Sequence, residues 1–173
     1  NGINSPGDWA SDFESILKEN EDAERLIIDV RNNSGGLNSN VQKIASLFVS
    51  KQLTYSSTIP KTGPGYDDLG TAYENSILPD DDFYFSNPVT VITNKSSMSN
   101  AEWFAYAMSL NETITTVGDY TAGATLGING VDLLPNGWLL QISRELNYTE
   151  KGESFESIGY APDVLVQNME DDI

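Results

Sequence analysis

The 173-residue sequence contains no histidine and no cysteine. The absence of cysteine excludes a disulfide framework and any metal site with thiolate ligands, and the absence of histidine removes the commonest metal ligand in proteins. We therefore expect no bound metal and no other cofactor. Histidine is also the residue that most often takes the proton from a nucleophilic serine, so a catalytic serine in this chain needs its base from elsewhere.

Basic residues are few as well. Nine Lys and Arg stand against 26 Asp and Glu, which gives a formal net charge of −17, and the nine are scattered from Lys18 to Lys151 without a cluster. Nucleic acids and anionic membrane surfaces are poor partners for such a chain. No apolar run approaches the roughly 18 residues of a membrane span, so we expect no membrane insertion by this segment.

Helical and strand patterns alternate along the chain and predict an α/β fold. Nearly continuous apolar runs, typical of buried parallel strands, occupy 25–30, 88–93 and 113–118. The order strand, helix, strand predicts right-handed parallel crossovers with flanking helices. Helical spacing of apolar residues follows the capping-box residues Ser5, Pro6 and Asp8, and recurs from Val41 to Val49 and from Asn100 to Leu110.

The remaining segments predict short strands and one long loop. Residues 52–59 have strand character, whereas 60–82 are rich in Gly and Pro and show no sustained period, so we expect a loop there. Alternating segments at 130–135, 137–143 and 163–167 favour shorter strands, some of them antiparallel. With 39% apolar residues the chain can bury one core, and we expect a single domain over residues 1–173 with a mixed sheet.

The stretch VITNKSSMSNAEWFAYAM, residues 91–108, has Ser99 at the start of a predicted helix. One interpretation is structural: SNAE is a capping box, in which the Ser99 hydroxyl accepts from Glu102 N–H while the Glu102 side chain reaches back. The other is catalytic, because a serine between a strand and a helix is exposed at the edge of the sheet, where Asn100 N–H points towards an oxyanion. This stretch alone leaves both interpretations open.

The string LIIDVRNNSGG, residues 26–36, resembles the strand and glycine turn of the C-terminal processing, or tail-specific, serine peptidases. Residues 88–108 resemble the nucleophile segment of the same family, with Ser99 as the nucleophile. In that family a glycine amide of the turn helps to form the oxyanion hole, so the resemblance assigns this role to Gly35 or Gly36, together with Asn100. The family is related in fold to the Clp protease and crotonase group, and the resemblance implies that fold here.

Two further segments concern the base. VGDYTAGATLG, residues 117–127, resembles the segment in which the Ser/Lys branch of the family places its lysine, but the matching residue is Ala124, which contradicts that mechanism. The branch typified by the core of tricorn protease uses Ser, His and Glu, and ESIGYAPDV at 156–164 places Glu156 at its glutamate position. Glu156 would then orient a histidine from upstream. Lys95 is a poor substitute base, because a polar turn does not desolvate its ammonium group.

The resemblance covers about residues 8–167 and implies the C-terminal catalytic half of a serine endopeptidase that acts on peptides or proteins. Because the chain has no initiator methionine, we expect an N-terminal remainder of the same protein to supply the histidine, and this piece alone to be inactive. The alternative is a non-catalytic module that binds peptides or apolar ligands on the same fold. The acidic, cysteine-free composition is typical of exported bacterial proteins, so we expect an extracytoplasmic or secreted location.

Overall fold

A computed structural model describes residues 9–127 and 130–167 of the chain. The helices of this described part are α1 (Trp9–Glu19), α2 (Asn38–Ser46) and α3 (Asn100–Ser109). Its strands are β1 (Leu26–Asp29), β2 (Leu53–Pro60), β3 (Tyr73–Ile77), β4 (Val89–Thr93), β5 (Ile114–Gly118), β6 (Gly130–Leu133), β7 (Leu139–Ile142), β8 (Glu145–Thr149) and β9 (Val164–Leu165). Outside the described residues lie the predicted capping residues of α1: Ser5, Pro6 and Asp8.

Four strands form a parallel sheet in the order β1-β4-β5-β9. The three apolar runs of the sequence correspond to β1, β4 and β5, so the predicted parallel strands are confirmed. Helix α3 connects β4 to β5, which are parallel neighbours, and the predicted βαβ unit is therefore present. Val89, Val91 and Ile114 of this sheet are buried in the core.

A second sheet is antiparallel, with the order β3-β2-β8, and β6 pairs with β7 in a separate hairpin. The loop predicted at 60–82 is wrong in part, because β3 lies inside it. The sequence of β3, YENSI, has three polar residues in its centre, and its strand conformation depends on pairing with β2. Strand β8 is likewise absent from the sequence-based prediction.

Helix α3 lies between the two sheets and positions the site. Every residue from Ala101 to Met108 is buried, as expected of a helix that is mainly apolar on all sides. It contacts β4 and β5 of the parallel sheet, β2 of the antiparallel sheet, and α2. The turn at 94–99, between β4 and α3, therefore lies where the two sheets meet, and it ends at Ser99.

Helix α2 is shorter than the sequence pattern predicts. It ends at Ser46, whereas the apolar spacing continues to Val49. Leu47 N–H donates to the carbonyl of Ile44, three residues back, and this tighter turn ends the helix. Val49 is nevertheless buried in the core, so the pattern identified a buried face correctly and placed the end of the helix too late.

No helix among residues 9–127 and 130–167 has the length and the apolar composition needed to cross a membrane.

Candidate active site

Ser99 has a backbone conformation that residues other than glycine rarely adopt. Its φ is 56° and its ψ is −128°, and such a conformation costs on the order of 1–3 kcal/mol unless the surroundings hold it. A strained serine on a sharp turn between a strand and a helix is the geometry that exposes the nucleophile in α/β-hydrolases. The strain is more than a helix cap requires, and it favours the catalytic interpretation of Ser99.

The capping box predicted at Ser99 is present, with one difference at its hydroxyl. The carboxylate of Glu102 accepts a hydrogen bond from Ser99 N–H at 3.0 Å, which is the reciprocal half of the box. The N–H of Glu102 donates to the main-chain carbonyl of Ser99 at 2.9 Å. Between these two described residues the Ser99 hydroxyl lies within reach of Glu102 N–H but forms no directed cap hydrogen bond. The same residue can therefore start the helix and keep its hydroxyl available.

Glu102 has a larger role than that of a capping partner. Its side chain is 0% exposed, and its second contact through Oε1 is Ala124 N–H at 2.9 Å. Oε2 accepts from Gly123 N–H at 2.7 Å and from the Thr121 hydroxyl at 2.5 Å. A buried carboxylate requires such donors because burial removes its water. Glu102 thereby joins the Ser99 turn to residues 121–124, a role that its place among apolar helix residues could have indicated.

The glycine turn after β1 packs directly against Ser99. Gly35 has a φ of +88°, and a Cβ atom there would lie 2.6 Å from Ser99 Cβ, 2.8 Å from the carbonyl oxygen of Met98 and 2.9 Å from Asn100 N. Two of these three neighbours are backbone atoms, which cannot move away independently. Only glycine fits this position, both for its φ and for the close approach of the two turns.

The two glycine amides of this turn differ in their hydrogen bonding. Gly35 N–H donates to the side-chain oxygen of Asn33 at 3.0 Å, so it already has an acceptor. At Gly36 the carbonyl accepts from the side-chain amide of Asn100 at 2.5 Å, which attaches the turn to the first residue of α3. The sequence leaves Gly35 and Gly36 as equal candidates for an oxyanion donor, and in the structure the Gly35 amide already has an acceptor.

Glu156 lies near Ser99, and the peptide unit between Ala124 and Thr125 forms a hydrogen bond with each of them. The carbonyl of Ala124 accepts from Ser99 N–H at 2.9 Å, and the N–H of Thr125, in the same peptide unit, donates to Glu156 Oε2 at 2.8 Å. These two hydrogen bonds and the width of the peptide unit place Ser99 N within about 8 Å of Glu156 Oε2. Ser99 and Glu156 are therefore neighbours that bond to the same peptide unit.

The two oxygens of Glu156 are used unequally. Oε2 accepts from Thr125 N–H, from the Thr125 hydroxyl at 3.0 Å and from Leu126 N–H at 3.2 Å. Oε1 has no donor among residues 9–127 and 130–167. The carboxylate is therefore held in one orientation by Oε2 and has an oxygen available for a further donor.

Neither Ala124, at the lysine position of the Ser/Lys branch, nor Lys95 provides a general base. Ala124 lies against Ser99 through its carbonyl, and its side chain is only a methyl group. The ammonium group of Lys95 is 3.6 Å from the Asp119 carboxylate, and the Lys95 side chain is 78% exposed. The ammonium group of Lys95 is therefore hydrated and next to an acidic partner, and the desolvated surroundings that a lysine base requires are absent around this described residue.

A cavity of about 350 Å³ opens beside Ser99. Gly36, Ser99 and Asn100 form one part of its lining and Trp103 another. The remaining part belongs mainly to the antiparallel sheet and is polar, with Ser56, Thr58, Asn75, Glu145 and Asn147 among its residues. The candidate nucleophile thus has a cavity next to it, and the chemistry of that cavity is set by the sheet β3-β2-β8.

Comparison with known proteins identifies the family. The sequence model of peptidase family S41 matches residues 2–166, nearly the whole chain. The chain belongs to peptidase family S41. This membership confirms the predicted C-terminal processing family and supports a serine-type peptidase function.

Individual relatives agree with this family. The chain is 33% identical over 116 residues to the carboxy-terminal processing protease CtpB of Bacillus subtilis (strain 168), which is 66% of this chain and 22% of CtpB. It is 29% identical over 157 residues to the chloroplastic carboxyl-terminal-processing peptidase 3 of Arabidopsis thaliana, which is 90% of this chain and 28% of the relative. The chain thus spans about a quarter of the length of these curated relatives.

The fold is shared with a solved structure. A crystal structure of a peptidase from Parabacteroides merdae superposes with a TM-score of 0.82 and 28% sequence identity, over 94% of this chain and 51% of that one. The predicted class, an α/β fold with a parallel sheet and flanking helices, is therefore confirmed as that of an S41 peptidase.

Proposed function

We propose that Ser99 is the nucleophile of a serine endopeptidase and that Glu156 orients a histidine supplied by the N-terminal remainder of the same protein. The observation that carries this proposal is the peptide unit between Ala124 and Thr125, which bonds Ser99 on one side and Glu156 on the other. Such a pair can hold an imidazole that accepts the Ser99 proton through one nitrogen and donates to Glu156 through the other. Oε1 of Glu156 is the oxygen available for that donor.

Peptide cleavage at this site follows the usual acyl-enzyme course. As the imidazole takes the hydroxyl proton, Ser99 Oγ forms a bond to the scissile carbonyl carbon, and the carbonyl oxygen becomes an oxyanion. When the intermediate collapses, the peptide C–N bond breaks and the imidazolium donates its proton to the leaving amine. Water then attacks the acyl-serine ester with the imidazole again as base, and the acid product and free Ser99 are formed.

The oxyanion requires hydrogen-bond donors, and we assign Gly36 N–H and Asn100 N–H. Asn100 is the first residue of α3, where main-chain N–H groups and the helix dipole favour negative charge. Of the two glycines, Gly36 is preferred because the Gly35 amide already donates to Asn33. Removal of one such donor typically costs about 10²–10³ in kcat.

The non-catalytic alternative is less well supported for an apolar ligand. The cavity beside Ser99 is lined mainly by hydroxyl, amide and carboxylate groups, and burial of an apolar ligand there would remove water from those groups without replacing the hydrogen bonds that the water makes. A strained Ser99 beside a carboxylate is also more than simple binding requires. Peptide binding without cleavage is the outcome that would support this alternative.

The test is peptide cleavage by the full-length protein and its Ser99→Ala variant. We expect cleavage to be lost in Ser99→Ala, together with labelling by a fluorophosphonate reagent that reacts with activated serines. Ser96→Ala is the matched control, because Ser96 lies in the same turn and is exposed, and it should retain full activity. Cleavage that survives Ser99→Ala would overturn the proposal, and so would a wild-type protein that binds peptides without cleaving or reacting.

The isolated chain should lack activity because its nucleophile has no base. Loss of one member of a serine triad removes nearly all of its contribution, on the order of 10⁶ in subtilisin. Robust cleavage by residues 1–173 alone, abolished by Ser99→Ala, would mean that the base lies within this chain. Such a result would overturn the assignment of an external histidine.

The partners and the location follow from the same proposal. The substrates are peptides or proteins, and the N-terminal remainder of the protein is the partner that completes the site. We also propose an extracytoplasmic location, supported by the acidic, cysteine-free composition. Cell fractionation would test the location independently of activity.

A further inference from the structure

The face of the antiparallel sheet that borders the cavity is buried and polar. Ser56 is 4%, Thr58 5% and Asn147 7% exposed, although the buried face of an antiparallel sheet is ordinarily apolar. Thr58 and Asn147 lie directly opposite each other in β2 and β8, and the Thr58 hydroxyl donates to Asn147 Oδ1 at 2.7 Å. Asn75 of β3 donates to Ser56 Oγ at 3.1 Å and to Thr58 Oγ1 at 2.9 Å. Buried polar groups are the informative exception in a protein interior, and these belong to one cavity.

Glu145 contributes a carboxylate to this cavity. Oε1 accepts from the side-chain amide of Asn147 at 3.0 Å and from Gly127 N–H at 3.2 Å. These bonds hold the carboxylate at the wall of the cavity, in the same lining as Ser99 and Asn100. Among the described residues that line the cavity, Glu145 is the only Asp, Glu, Lys or Arg. The charge of the cavity is therefore negative.

We propose that this cavity binds a lysine or arginine side chain of the substrate, on the residue whose carbonyl Ser99 attacks, and that Glu145 is the residue that determines this specificity. The proposal rests on the proposed function, because it takes Ser99 as the nucleophile. The side chain next to the scissile carbonyl is the one within reach, since Ser99 and the oxyanion donors line the same cavity.

Each competing class of side chain is disfavoured by a named feature. An apolar side chain would remove water from the polar wall without replacing its hydrogen bonds. An acidic side chain would place a second negative charge near Glu145. A long basic side chain can pack its methylene groups against the Trp103 ring, which also lines the cavity, and bring its charge to the carboxylate. The net charge of −17 further attracts cationic peptides.

The experiment measures binding separately from catalysis. Fluorescein-labelled hexapeptides that differ only in their C-terminal residue, Lys, Arg, Leu or Glu, resemble cleavage products with that residue in the cavity. Their dissociation constants for the full-length Ser99→Ala protein are measured by fluorescence anisotropy. We expect the Lys and Arg peptides to bind about tenfold more tightly than the Leu peptide, as a close charge pair permits, and the Glu peptide to bind most weakly.

Two variants assign the preference to Glu145. In Glu145→Gln the side chain keeps an acceptor for Gly127 and Asn147 but loses its charge, so the ratio of Leu to Lys dissociation constants should fall to about one. Glu112→Gln is the matched control, because Glu112 is exposed and lines a different cavity, and it should leave the ratio unchanged. Within each variant the two peptides share any general loss of affinity, so the ratio remains informative.

The possible results are distinct. Equal binding of Lys and Leu peptides, tighter binding of the Leu peptide, or no binding of any peptide would overturn the specificity proposal. A preference for Lys that Glu145→Gln leaves intact would overturn the role of Glu145. By contrast, a wild-type protein that prefers Lys peptides but shows no Ser99-dependent cleavage would refute the proposed function and leave the specificity of the cavity standing.

Discussion

The region around Glu102 and the region around Glu156 use the same segment of chain in two different ways. Glu102 is fully buried, and both of its oxygens accept two hydrogen bonds each. Glu156 is only partly buried, and its hydrogen bonds from described residues all go to Oε2. Both oxygens of Glu102 thus have hydrogen-bond donors, whereas only one oxygen of Glu156 has donors among the described residues. A carboxylate of the first kind positions the chain around it, whereas one of the second kind can still orient an incoming group.

The segment between them makes the comparison direct. Four successive main-chain amides, from Gly123 to Leu126, are divided between the two carboxylates: the first two donate to Glu102 and the last two to Glu156. The segment therefore fixes Glu156 relative to Ser99 mainly through backbone amides, and the Thr125 hydroxyl adds one side-chain hydrogen bond. Changes to either carboxylate should change the site strongly and in different ways.

The largest expected effect is that of Glu156→Gln on activity. The amide oxygen of Gln can still accept from Thr125 and Leu126, but its NH₂ group would occupy the place of Oε1 and would favour the wrong tautomer of the histidine. An isosteric change of this type in another serine protease lowers kcat by about 10⁴, and we expect a loss of about 10³–10⁴ in kcat/KM. Steady-state kinetics on the full-length protein measures it. Unchanged activity would remove Glu156 from the site.

Glu102→Gln should affect stability instead. The substitution removes the charge and turns two of the four donors of Glu102 towards an NH₂ group, in a place with no access to water. Hydrogen bonds to charged groups contribute about 1.5–3 kcal/mol, so we expect the free energy of unfolding to fall by about 3 kcal/mol. Denaturant melts measure it, with Glu156→Gln as the control at less than about 1 kcal/mol. Equal losses in the two variants would abolish the distinction between the two carboxylates.

Gly35→Ala tests the close approach of the glycine turn to Ser99. Its Cβ would lie within 2.9 Å of Asn100 N and closer still to Ser99 Cβ, so the variant should lose stability and move the nucleophile. Gly137→Ala is the control, because Gly137 has a similar φ of +83° and nothing within 4 Å of an added Cβ. We expect Gly35→Ala to be less stable than the control by about 2 kcal/mol. If the two variants lost the same stability, the positive φ alone would explain why position 35 is glycine, and the close approach to Ser99 would not.

The smallest effect concerns a third carboxylate, Asp29, which is exposed. Hydrogen bonds from the Arg31 guanidinium lower the pKa of Asp29 below its usual value. The contribution of Asp29 to the free energy of unfolding is therefore present above about pH 4 and is lost as the pH falls through the lowered pKa. Because the pair is exposed and screened by solvent, Asp29→Asn should cost less than about 1 kcal/mol at pH 7. The difference from wild type in denaturant melts should vanish near pH 2, and a difference that grows on acidification would contradict this account.

The parallel half of the fold was predictable because its signals are local. The runs in β1, β4 and β5 are rich in apolar and β-branched residues, and this pattern predicts parallel strands. Strand β3 has three polar residues in its centre, and its conformation depends on the neighbouring strand β2. A polar strand of this kind has no alternation of apolar and polar residues, so its sequence does not predict a strand.

The candidate site divides in the same way. Ser99, Glu156 and the glycine turn were found in the sequence, through the resemblance of their segments to one peptidase family. The burial of Glu102 and the polar cavity with Glu145 were not. Their partners are supplied by contacts between separate elements: Thr121 to Ala124 for Glu102, and the strands β2, β3 and β8 for the cavity.

The sequence by itself determined the parallel α/β core and the position of Ser99 at the start of α3. Local apolar periodicity and the capping-box pattern at 99–102 are sufficient for these. Only the tertiary structure decided that two carboxylates share successive amides of one loop, and that the cavity beside Ser99 is polar. The physical reason is that a hydrogen bond depends on distance and direction between atoms, and residues 20 to 90 positions apart acquire these only when the chain has folded.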